Sequence, residues 1–424
     1  MFKTLKDAWK VPEIRKRVYF TFLMIVIYRL GNNIPIPFID TQALTKAYEG
    51  MQGTLVDMLN LLTGGGLASL SIFALGVQPY ITSQIVMQLL TVAIPRLEEL
   101  TKEGEQGRKT IQRYTRYLAV ALAIFQSVAI TNGLFATALS KATSFENFIM
   151  NVVLIAGTMF LTWIGDMITD KGIGNGVSLI IFFGIISAIP NTLKKRSTSL
   201  HYSLVPIWAV ILMVAIIILI IIAVVILTQG ERRIPVQYAK RVVGRKMYGG
   251  KSTNIPVKVN MSGVMPIIFA SAVLAIPSTI ALFIGGSSSN FMSKLLSQSG
   301  TFGTAIYLIV QSLLIMLFAY FYNQIQFNTV EYAKQLQQYG GFVPGIRPGK
   351  PTSEFLQRIS SKITFIGALG LAVLTAVPTI ASRLLGLDLS FGGSSVIIIV
   401  GVILETIKQI EAMITMKQYK GFLK

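Results

Sequence analysis

The chain has 424 residues, of which 53% are hydrophobic and 13% charged, with a net charge of +20, one histidine and no cysteine. Soluble domains carry about 25% charged residues, so this composition indicates a membrane protein. The missing cysteines exclude disulfides, thiol catalysis and thiolate metal sites, and the single histidine, His201, cannot form a metal cluster. We therefore expect neither a cofactor nor an enzyme active site.

Ten apolar segments are long enough to cross a membrane. A helix needs about 20 apolar residues to cross roughly 30 Å of hydrocarbon, and such segments must be helical because lipid cannot satisfy backbone groups. The predicted spans lie near 18–38, 71–94, 118–138, 148–168, 177–193, 205–228, 262–284, 304–327, 362–381 and 393–411. We interpret residues 1–17 as a basic amphipathic helix on the cytosolic membrane face, and residues 412–424 as a cytosolic tail.

The positive charge is concentrated on one side of the predicted membrane, which indicates orientation rather than nucleic-acid binding. Lys and Arg cluster in the N-terminus, in the tail, and in the connections between spans 2 and 3, 6 and 7, and 8 and 9. The positive-inside rule places these segments, and so both termini, in the cytosol. The spans divide into two halves of five, 18–193 and 194–411. Because five is odd, the second half is inverted relative to the first.

The connection before the second span is unusually apolar and rich in glycine. It runs from about 57 to 70 and contains three consecutive glycines, Gly64, Gly65 and Gly66. Glycine is a poor helix former and supplies a flexible hinge. Two interpretations remain open: a packed, inert connector, or a mobile cap that folds back and blocks the external funnel.

Two short motifs occur twice, once in each half. The sequence GVQPYI at 76–81 recurs as GVMPII at 263–268, and GVSLII at 176–181 matches GSSVII at 393–398 in its glycine, its serine and its aliphatic run. In inverted-repeat membrane proteins the working site lies at the seam between the repeats. The matched residues are aliphatic, which predicts a gasket rather than a binding pocket. Pro79 and Pro266 are predicted to kink their spans, because proline removes a helical hydrogen bond.

Few polar side chains lie within the predicted spans. Those noted are Gln84, Gln88, Gln126 and Asn260. Their simplest interpretation is hydrogen bonding between helices, worth about 1 kcal/mol each.

The two long cytosolic loops carry more pattern than membrane orientation requires. Residues about 229–260 alternate apolar and polar positions, which predicts a β-hairpin standing away from the membrane. Residues about 328–361 contain GIRPG at 345–349, a rigid turn that presents Arg347. We expect a docking surface for a large cytosolic partner, and the charge suits one that contains RNA. The alternative is a plain basic anchor.

Five further motifs make a resemblance to a known family specific. They are SIFALG at 71–76, KEGE at 102–105, GIGNG at 172–176, QYAKR at 237–241 and VPGIRPG at 343–349. These motifs occur in the same order as in the bacterial SecY family, the channel subunits of the Sec protein translocon. The chain resembles this family from its first span to its last. The resemblance implies an all-α polytopic fold with ten transmembrane helices in two inverted five-helix halves. It also implies a channel that passes secretory polypeptides and releases apolar segments sideways into lipid.

The functional residues implied by the resemblance fall into four groups. The pore ring is carried over to Val77, Ile81, Val177, Ile181, Ile268 and Ile398. The plug is carried over to Asn60, Leu61, Leu62, Thr63, Gly64, Gly65, Gly66 and Leu67. A lateral gate between spans 2 and 3 and spans 7 and 8 includes Thr82, Gln126 and Asn260. Docking of the motor or ribosome is assigned to Arg232, Arg233, Lys240, Arg241 and Arg347.

The resemblance also implies partners. These are the small membrane subunits SecE and SecG, the motor ATPase SecA, the ribosome, signal peptides and translocating polypeptides, and the lipid bilayer. The sequence has no P-loop pattern, so ATP is expected to be spent by a partner. Phe38 departs from the family pattern, which has glycine there, and Val77 and Val177 are smaller than the isoleucines of some relatives.

A secondary transporter of small solutes, also built from inverted repeats, is the rival interpretation. Such a protein needs convergent polar or charged groups at the membrane midplane. The matched repeat positions in this chain are aliphatic instead, which favours the protein-conducting channel.

Overall fold

The computed structural model describes residues 11–39, 63–135, 143–201, 207–238, 241–243, 246–248, 252–283, 301–385 and 393–421, together with Trp9, Leu44, Asn60 and Leu139. In chain order its helices are α1 Pro12–Asn32, α2 Gln78–Ala93, α3 Pro95–Lys102, α4 Glu105–Ala129, α5 Ser144–Lys171, α6 Gly176–His201, α7 Ile207–Gln229, α8 Met265–Phe283, α9 Thr301–Gln326, α10 Thr329–Gln338, α11 Lys350–Leu384 and α12 Gly393–Gly421. The strands are β1 Glu231–Tyr238, β2 Arg241–Val243, β3 Lys246–Tyr248, β4 Ser252–Lys258 and β5 Gly341–Phe342.

Each of the ten predicted spans overlaps one of the described helices, namely α1, α2, α4 to α9, α11 and α12. By length and apolar composition, five stretches of the described residues can cross a membrane: Glu105–Gly133, Ser144–Lys171, Trp208–Gln229, Gly303–Gln338 and Lys350–Leu384. Two shorter apolar stretches, Gly176–Pro190 and Met265–Pro277, lie within α6 and α8. Helix α2, with 16 residues, is only about 24 Å long, so it does not fill the hydrocarbon thickness by itself.

Helices α2 and α8 begin later than their apolar segments do. Residues 72–77, which the hydropathy pattern places in the second span, form turns instead. Because α2 begins at Gln78 and α8 at Met265, Pro79 and Pro266 occupy the second helical position. A proline in the first turn breaks no helical hydrogen bond. The prediction that these two prolines kink their helices is therefore wrong, since each helps its helix to start.

A glycine in the left-handed region precedes both helix starts, with φ of 59° at Gly76 and 62° at Gly263. The chain must turn sharply at each point, and a residue with a Cβ is strained there by about 1–2 kcal/mol. The repeated glycine is thus a backbone requirement that both halves share.

We expect Gly263→Ala to lower the free energy of unfolding by about 1 kcal/mol and Gly76→Ala to lower it by more. A Cβ at Gly263 meets no atom within 4 Å, so only backbone strain acts there. A Cβ at Gly76 would lie 2.9 Å from Cγ2 of Thr63, which adds a steric clash. Thermal unfolding of both variants in one detergent measures the order. Equal losses would contradict the close contact at Gly76.

Helix α8 joins the two halves. It contacts α2 and α4 of the first half, and α9 and α12 of its own half. A second contact between the halves runs from α6 to α12. A large apolar cluster fills the space between them and draws buried side chains from α1, α2, α5 to α9, α11 and α12. We call it the central cluster.

The two long loops form a single folded unit. Strand β1 lies between β4 and β5 and is antiparallel to both. Strands β1 and β4 pair from Glu231↔Lys258 to Gln237↔Ser252, which confirms the predicted hairpin in 229–260. Strand β5 belongs to the second loop and pairs with β1 at Gln237↔Phe342. The sequence did not predict this joining of the two loops.

The expected boundary between an N-terminal helix and the first span does not exist in the structure. Residues 12–17 belong to α1 and continue directly into the span. Residues 1–8 and residue 10 lie outside the described residues. The side chain of Arg17 donates to the carbonyl of Gly172 at 3.2 Å, and the hydroxyl oxygen of Thr21 accepts from the backbone N–H of Ile173 at 3.0 Å. These bonds fix the start of α1 against the α5–α6 connection.

Candidate functional site

The six residues predicted to form a ring all lie near the starts of four helices. They are Val77 and Ile81 at α2, Val177 and Ile181 at α6, Ile268 at α8 and Ile398 at α12. Five of them are only 1% to 6% exposed and belong to the central cluster, and the half-buried Val177 packs against it. The structure therefore brings all six side chains into one apolar cluster at the seam between the halves.

A repeated glycine contact positions two of these helix starts. A Cβ at Gly176 would lie 1.9 Å from the carbonyl oxygen of Gly165 in α5, and a Cβ at Gly393 would lie 2.0 Å from that of Thr375 in α11. Any side chain would clash with backbone at these points, so only glycine lets α6 and α12 begin so close to their neighbours. The same kind of contact thus fixes the positions of the predicted ring residues at the starts of α6 and α12.

Val264 is an aliphatic residue of the seam that the sequence analysis did not assign. It is 3% exposed and belongs to the central cluster. A Cβ at Gly401 of α12 would lie 2.1 Å from Cγ1 of Val264, so the turn before α8 packs tightly on α12. The signal was present in the sequence, because the repeat aligns Val264 with Val77.

The Gly-rich segment is bonded to the end of α1. The structure describes six of its predicted plug residues, Asn60, Thr63, Gly64, Gly65, Gly66 and Leu67, whereas Leu61 and Leu62 lie outside the described residues. The hydroxyl of Tyr28 donates to the carbonyl of Thr63 at 3.2 Å. Arg29 and Asn32 donate to the carbonyl of Gly64 at 3.0 and 2.8 Å. In this state the segment is ordered by side chains of the first span.

The apolar part of the segment packs away from the predicted ring. Leu67 is 1% exposed and belongs to a second cluster with Leu75, Phe135 and Leu154. The segment meets the start of α2 through Thr63, at the close approach to Gly76 described above. The segment therefore lies beside Val77 while its leucine is anchored near the ends of α4 and α5.

Two of the three predicted gate residues form local hydrogen bonds. Thr82 donates to the carbonyl of Gln78 at 3.1 Å, one turn earlier in α2. The amide of Asn260 donates to the carbonyl of Gly263 at 3.0 Å, within the turn before α8. Gln126 is half-buried in α4. These bonds do not connect the halves.

Among the described residues, three other hydrogen bonds do cross between the halves. One runs from the backbone N–H of Gly174 to Oε1 of Gln409 in α12, at 2.5 Å. The amide of Gln78 donates to the carbonyl of Ala272 in α8 at 3.5 Å. The hydroxyl of Tyr322 in α9 donates to Oε1 of Gln88 in α2. Tyr322 is 6% exposed and packs on Phe269, with ring centroids 5.3 Å apart. Gln88 was noted in the sequence as a polar span residue, but Tyr322 gave no signal because a tyrosine in an apolar helix also suits plain packing.

The predicted docking residues on β1 are exposed. Arg232 and Arg233 both face solvent, and Arg233 pairs with Glu231 at 2.8 Å. Lys240 lies outside the described residues, and the structure describes only the backbone of Arg241. The structure thus places two of these four basic side chains on the sheet surface.

Arg347 is exposed on a turn with a fixed backbone. Gly345 and Gly349 on either side have φ of 82° and 99°. The hydroxyl of Thr352 donates to the carbonyl of Arg347 at 2.8 Å, and the backbone N–H of Ile346 donates to the carbonyl of Val343 at 3.0 Å. These bonds fix the backbone of the turn, and the side chain of Arg347 is exposed.

The chemistry of the seam is apolar. Among the described residues, no group of three or more His, Asp or Glu side chains is placed to hold a metal ion. The helix starts at the seam present valine and isoleucine to one another. Such a site can exclude water and ions, but it offers a polar solute nothing to bind.

Comparison with known proteins gives the same family throughout. The SecY family model matches residues 71–407. The SecY protein translocase subunits of Streptomyces galbus and Thermotoga maritima are 44% and 38% identical to the chain, over all of it and over 100% and 98% of their own lengths. The same subunit of Aquifex aeolicus is 42% identical over the whole of both chains.

Solved structures share the fold. One described as a protein-conducting channel superposes with a TM-score of 0.68 at 19% identity, over 96% of both chains. A SecY channel whose plug domain is described as stabilising the closed state and maintaining a membrane seal has a TM-score of 0.67, at 19% identity and the same coverage. Sec61 from a canine ribosome–channel complex of the endoplasmic reticulum has a TM-score of 0.62 at 18% identity, again over 96% of both chains.

Proposed function

The chain belongs to the SecY family of protein translocase subunits, and from this we propose how its own residues let a polypeptide pass. It is a bacterial, multi-pass membrane protein that forms a protein-conducting channel, and it is a non-enzymatic subunit of the translocase. The observation that carries the proposal is the aliphatic seam, where the starts of α2, α6, α8 and α12 share one buried cluster.

The six ring residues act as a gasket in this proposal. A translocating chain exposes backbone groups that lipid cannot satisfy, so it needs a hydrated path. A short aliphatic constriction excludes water when it is empty and yields to an extended chain, because its side chains bind nothing strongly. The plug, about residues 57–70, covers the constriction on the external side of the closed channel.

The lateral gate is the interface of α2 and α4 with α8 and α9. Apolar segments gain a few tenths of a kcal/mol per residue in lipid, and a central charge opposes entry by about 3 kcal/mol. When this interface opens, each segment of the translocating chain can partition between lipid and the channel. Thr82, Gln126 and Asn260 line the gate in this proposal, and the Gln88–Tyr322 bond closes it.

We expect Tyr322→Phe to lower the hydrophobicity that a segment needs for release into lipid. The variant removes the bond to Gln88, worth about 1 kcal/mol. Each leucine contributes about 0.5 kcal/mol to insertion, so the threshold should fall by about two leucines. A series of test segments with increasing leucine content measures the shift.

Tyr320→Phe is the matched control for this experiment. Tyr320 also lies in α9, but its hydroxyl donates to the carbonyl of Ser361 in α11, within the second half. Its removal should leave the threshold in place. A threshold that moves equally in both variants would show that the Tyr322 bond does not close the gate.

Both termini and the sheet lie in the cytosol in this proposal, as the distribution of Lys and Arg supports. The exposed Arg232, Arg233 and Arg347, with Lys240 and Arg241, form the docking surface for the motor SecA and for the ribosome. SecE and SecG are the proposed membrane partners, and signal peptides enter at the lateral gate. The related Sec61 channel has been solved in a complex with a ribosome.

Reconstitution tests the proposal against a transporter. Proteoliposomes with the channel, its small subunits and the motor should protect a secretory precursor from external protease when ATP is present. They should not accumulate small solutes against a gradient. Solute uptake without precursor protection would favour the transporter.

A further inference from the structure

Arg29 is a charged side chain in the apolar, C-terminal part of α1. A charge within a span is costly in hydrocarbon, and a long side chain near a helix end normally extends to the water interface. The side chain of Arg29 turns to the protein instead. Its Nη1 donates to the carbonyl of Gly64 at 3.0 Å and to the hydroxyl oxygen of Ser187 in α6, also at 3.0 Å. One guanidinium thus bridges α1, the Gly-rich segment and α6.

The hydrogen bonds at this point are fully matched. A carbonyl oxygen has two lone pairs, and that of Gly64 accepts from Arg29 and from Asn32. The hydroxyl of Ser187 lies 2.7 Å from the carbonyl oxygen of Gly184 and 3.3 Å from that of Gly64. Its single proton is donated to one of them, and its oxygen accepts from Arg29. Loss of Arg29 would remove the charged donor to the buried carbonyl of Gly64 and leave it only the neutral donors Asn32 and Ser187.

The position of Gly64 between α1 and α6 requires glycine. Its φ is 69°, and a Cβ there would lie 2.8 Å from the hydroxyl oxygen of Tyr28 and 2.9 Å from Cα of Gly184. The glycine therefore lets the segment press between α1 and α6 and present its carbonyl to Arg29. The sequence alone gave this glycine only the role of a flexible hinge.

We propose that Arg29 is the positioning residue that latches the Gly-rich segment closed, and that a passing polypeptide must break the Arg29–Gly64 bond to displace the segment. This rests on the proposed plug role of the segment. A hydrogen bond from a charged donor is stronger than a neutral one. Its loss should raise the fraction of channels with a displaced segment roughly tenfold or more.

A cysteine probe can measure that fraction, because the chain has no cysteine of its own. Leu67→Cys places a thiol at a position that is 1% exposed in the closed state. Labelling by a water-soluble maleimide then reports displacement of the segment in idle channels, without any precursor. In this background Arg29→Met should accelerate labelling about tenfold. Arg29→Lys keeps one charged donor and should give an intermediate rate.

Arg383→Met is the matched control in the second half. Arg383 also lies near the C-terminal end of its helix, α11, and donates to the hydroxyl of Thr304 in α9. It makes no hydrogen bond to the described residues of the Gly-rich segment. This variant should label at the parental rate, and thermal unfolding should show that all variants remain folded.

Two results would overturn the latch: an unchanged labelling rate in folded Arg29→Met, or equal acceleration in Arg383→Met. The plug role has a separate arm, in which a precursor is arrested in the parental Leu67→Cys channel. Faster labelling there supports the plug. Unchanged labelling removes the plug role, and with it any part of Arg29 in gating, even where Arg29→Met labels faster in idle channels.

Discussion

The double substitution Ile181→Ser and Ile398→Ser should turn the closed channel into an ion conductor. Both side chains are 1% exposed, lie in the central cluster and occupy matched positions near the starts of α6 and α12. A constriction stays dry only while its lining is apolar. Two hydroxyl groups would hydrate it, and we expect the idle conductance in planar bilayers to rise by about tenfold or more.

The residues next to them provide a control of equal burial. Ile180 and Ile397 are 2% and 1% exposed and belong to the same cluster. Consecutive helical residues point about 100° apart, so the pair Ile180→Ser and Ile397→Ser should leave the constriction dry. Each buried substitution destabilises the fold by about 3 kcal/mol in either pair. Equal conductance in the two double variants would show that Ile181 and Ile398 do not form a ring.

Arg347→Glu should abolish most motor-driven translocation while the channel stays folded. The side chain is exposed on a turn fixed by Gly345 and Gly349, and exposed substitutions change stability by only about 0.5 kcal/mol. An outward guanidinium suits paired contacts with carboxylate or phosphate groups. Reversing its charge replaces attraction by repulsion, so we expect a loss of about tenfold or more in translocation and in channel-stimulated ATP hydrolysis.

Lys334→Glu is a control that distinguishes loss of a specific docking site from a general change in surface charge. Lys334 is exposed on α10, in the same folded unit as Arg347, and its reversal changes the net charge by the same amount. It should retain most of the translocation activity. An equal loss in both variants would indicate a general electrostatic effect, and a lower unfolding temperature in Arg347→Glu would make that residue structural.

Hydropathy predicted ten apolar segments, each of which overlaps a described helix, because membrane insertion depends mainly on apolar composition. It placed the starts of α2 and α8 too early, because composition does not register a backbone turn. The turns before these helices occur at Gly76 and Gly263, whose φ lies in the left-handed region. The repeat pointed to both glycines, but a glycine in an apolar run is equally compatible with a continuous helix.

The contacts that we propose to hold the closed state could not be predicted from the sequence, for a different reason. The bonds of Arg29 to Gly64 and of Tyr322 to Gln88 join residues far apart in the chain. No local pattern specifies such a pair. The pairing of β5 with β1 was missed as well, since a strand of two residues is too short to show alternation. The proposed ring has more support in the sequence, because the repeat pairs Ile81 with Ile268 and Ile181 with Ile398.

Because the two long loops are joined in one sheet, that sheet is connected to several helices of the second half. The backbone N–H of Val259 donates to the carbonyl of Gly230 at 2.8 Å, which closes the base of the β1–β4 hairpin between α7 and α8. A Cβ at Gly367 would lie 2.2 Å from the carbonyl oxygen of Val259, so the base also rests on α11. We therefore expect a force applied at the Arg347 turn to be transmitted through β5 and β1 to the start of α8, the helix that contacts α2 and α4.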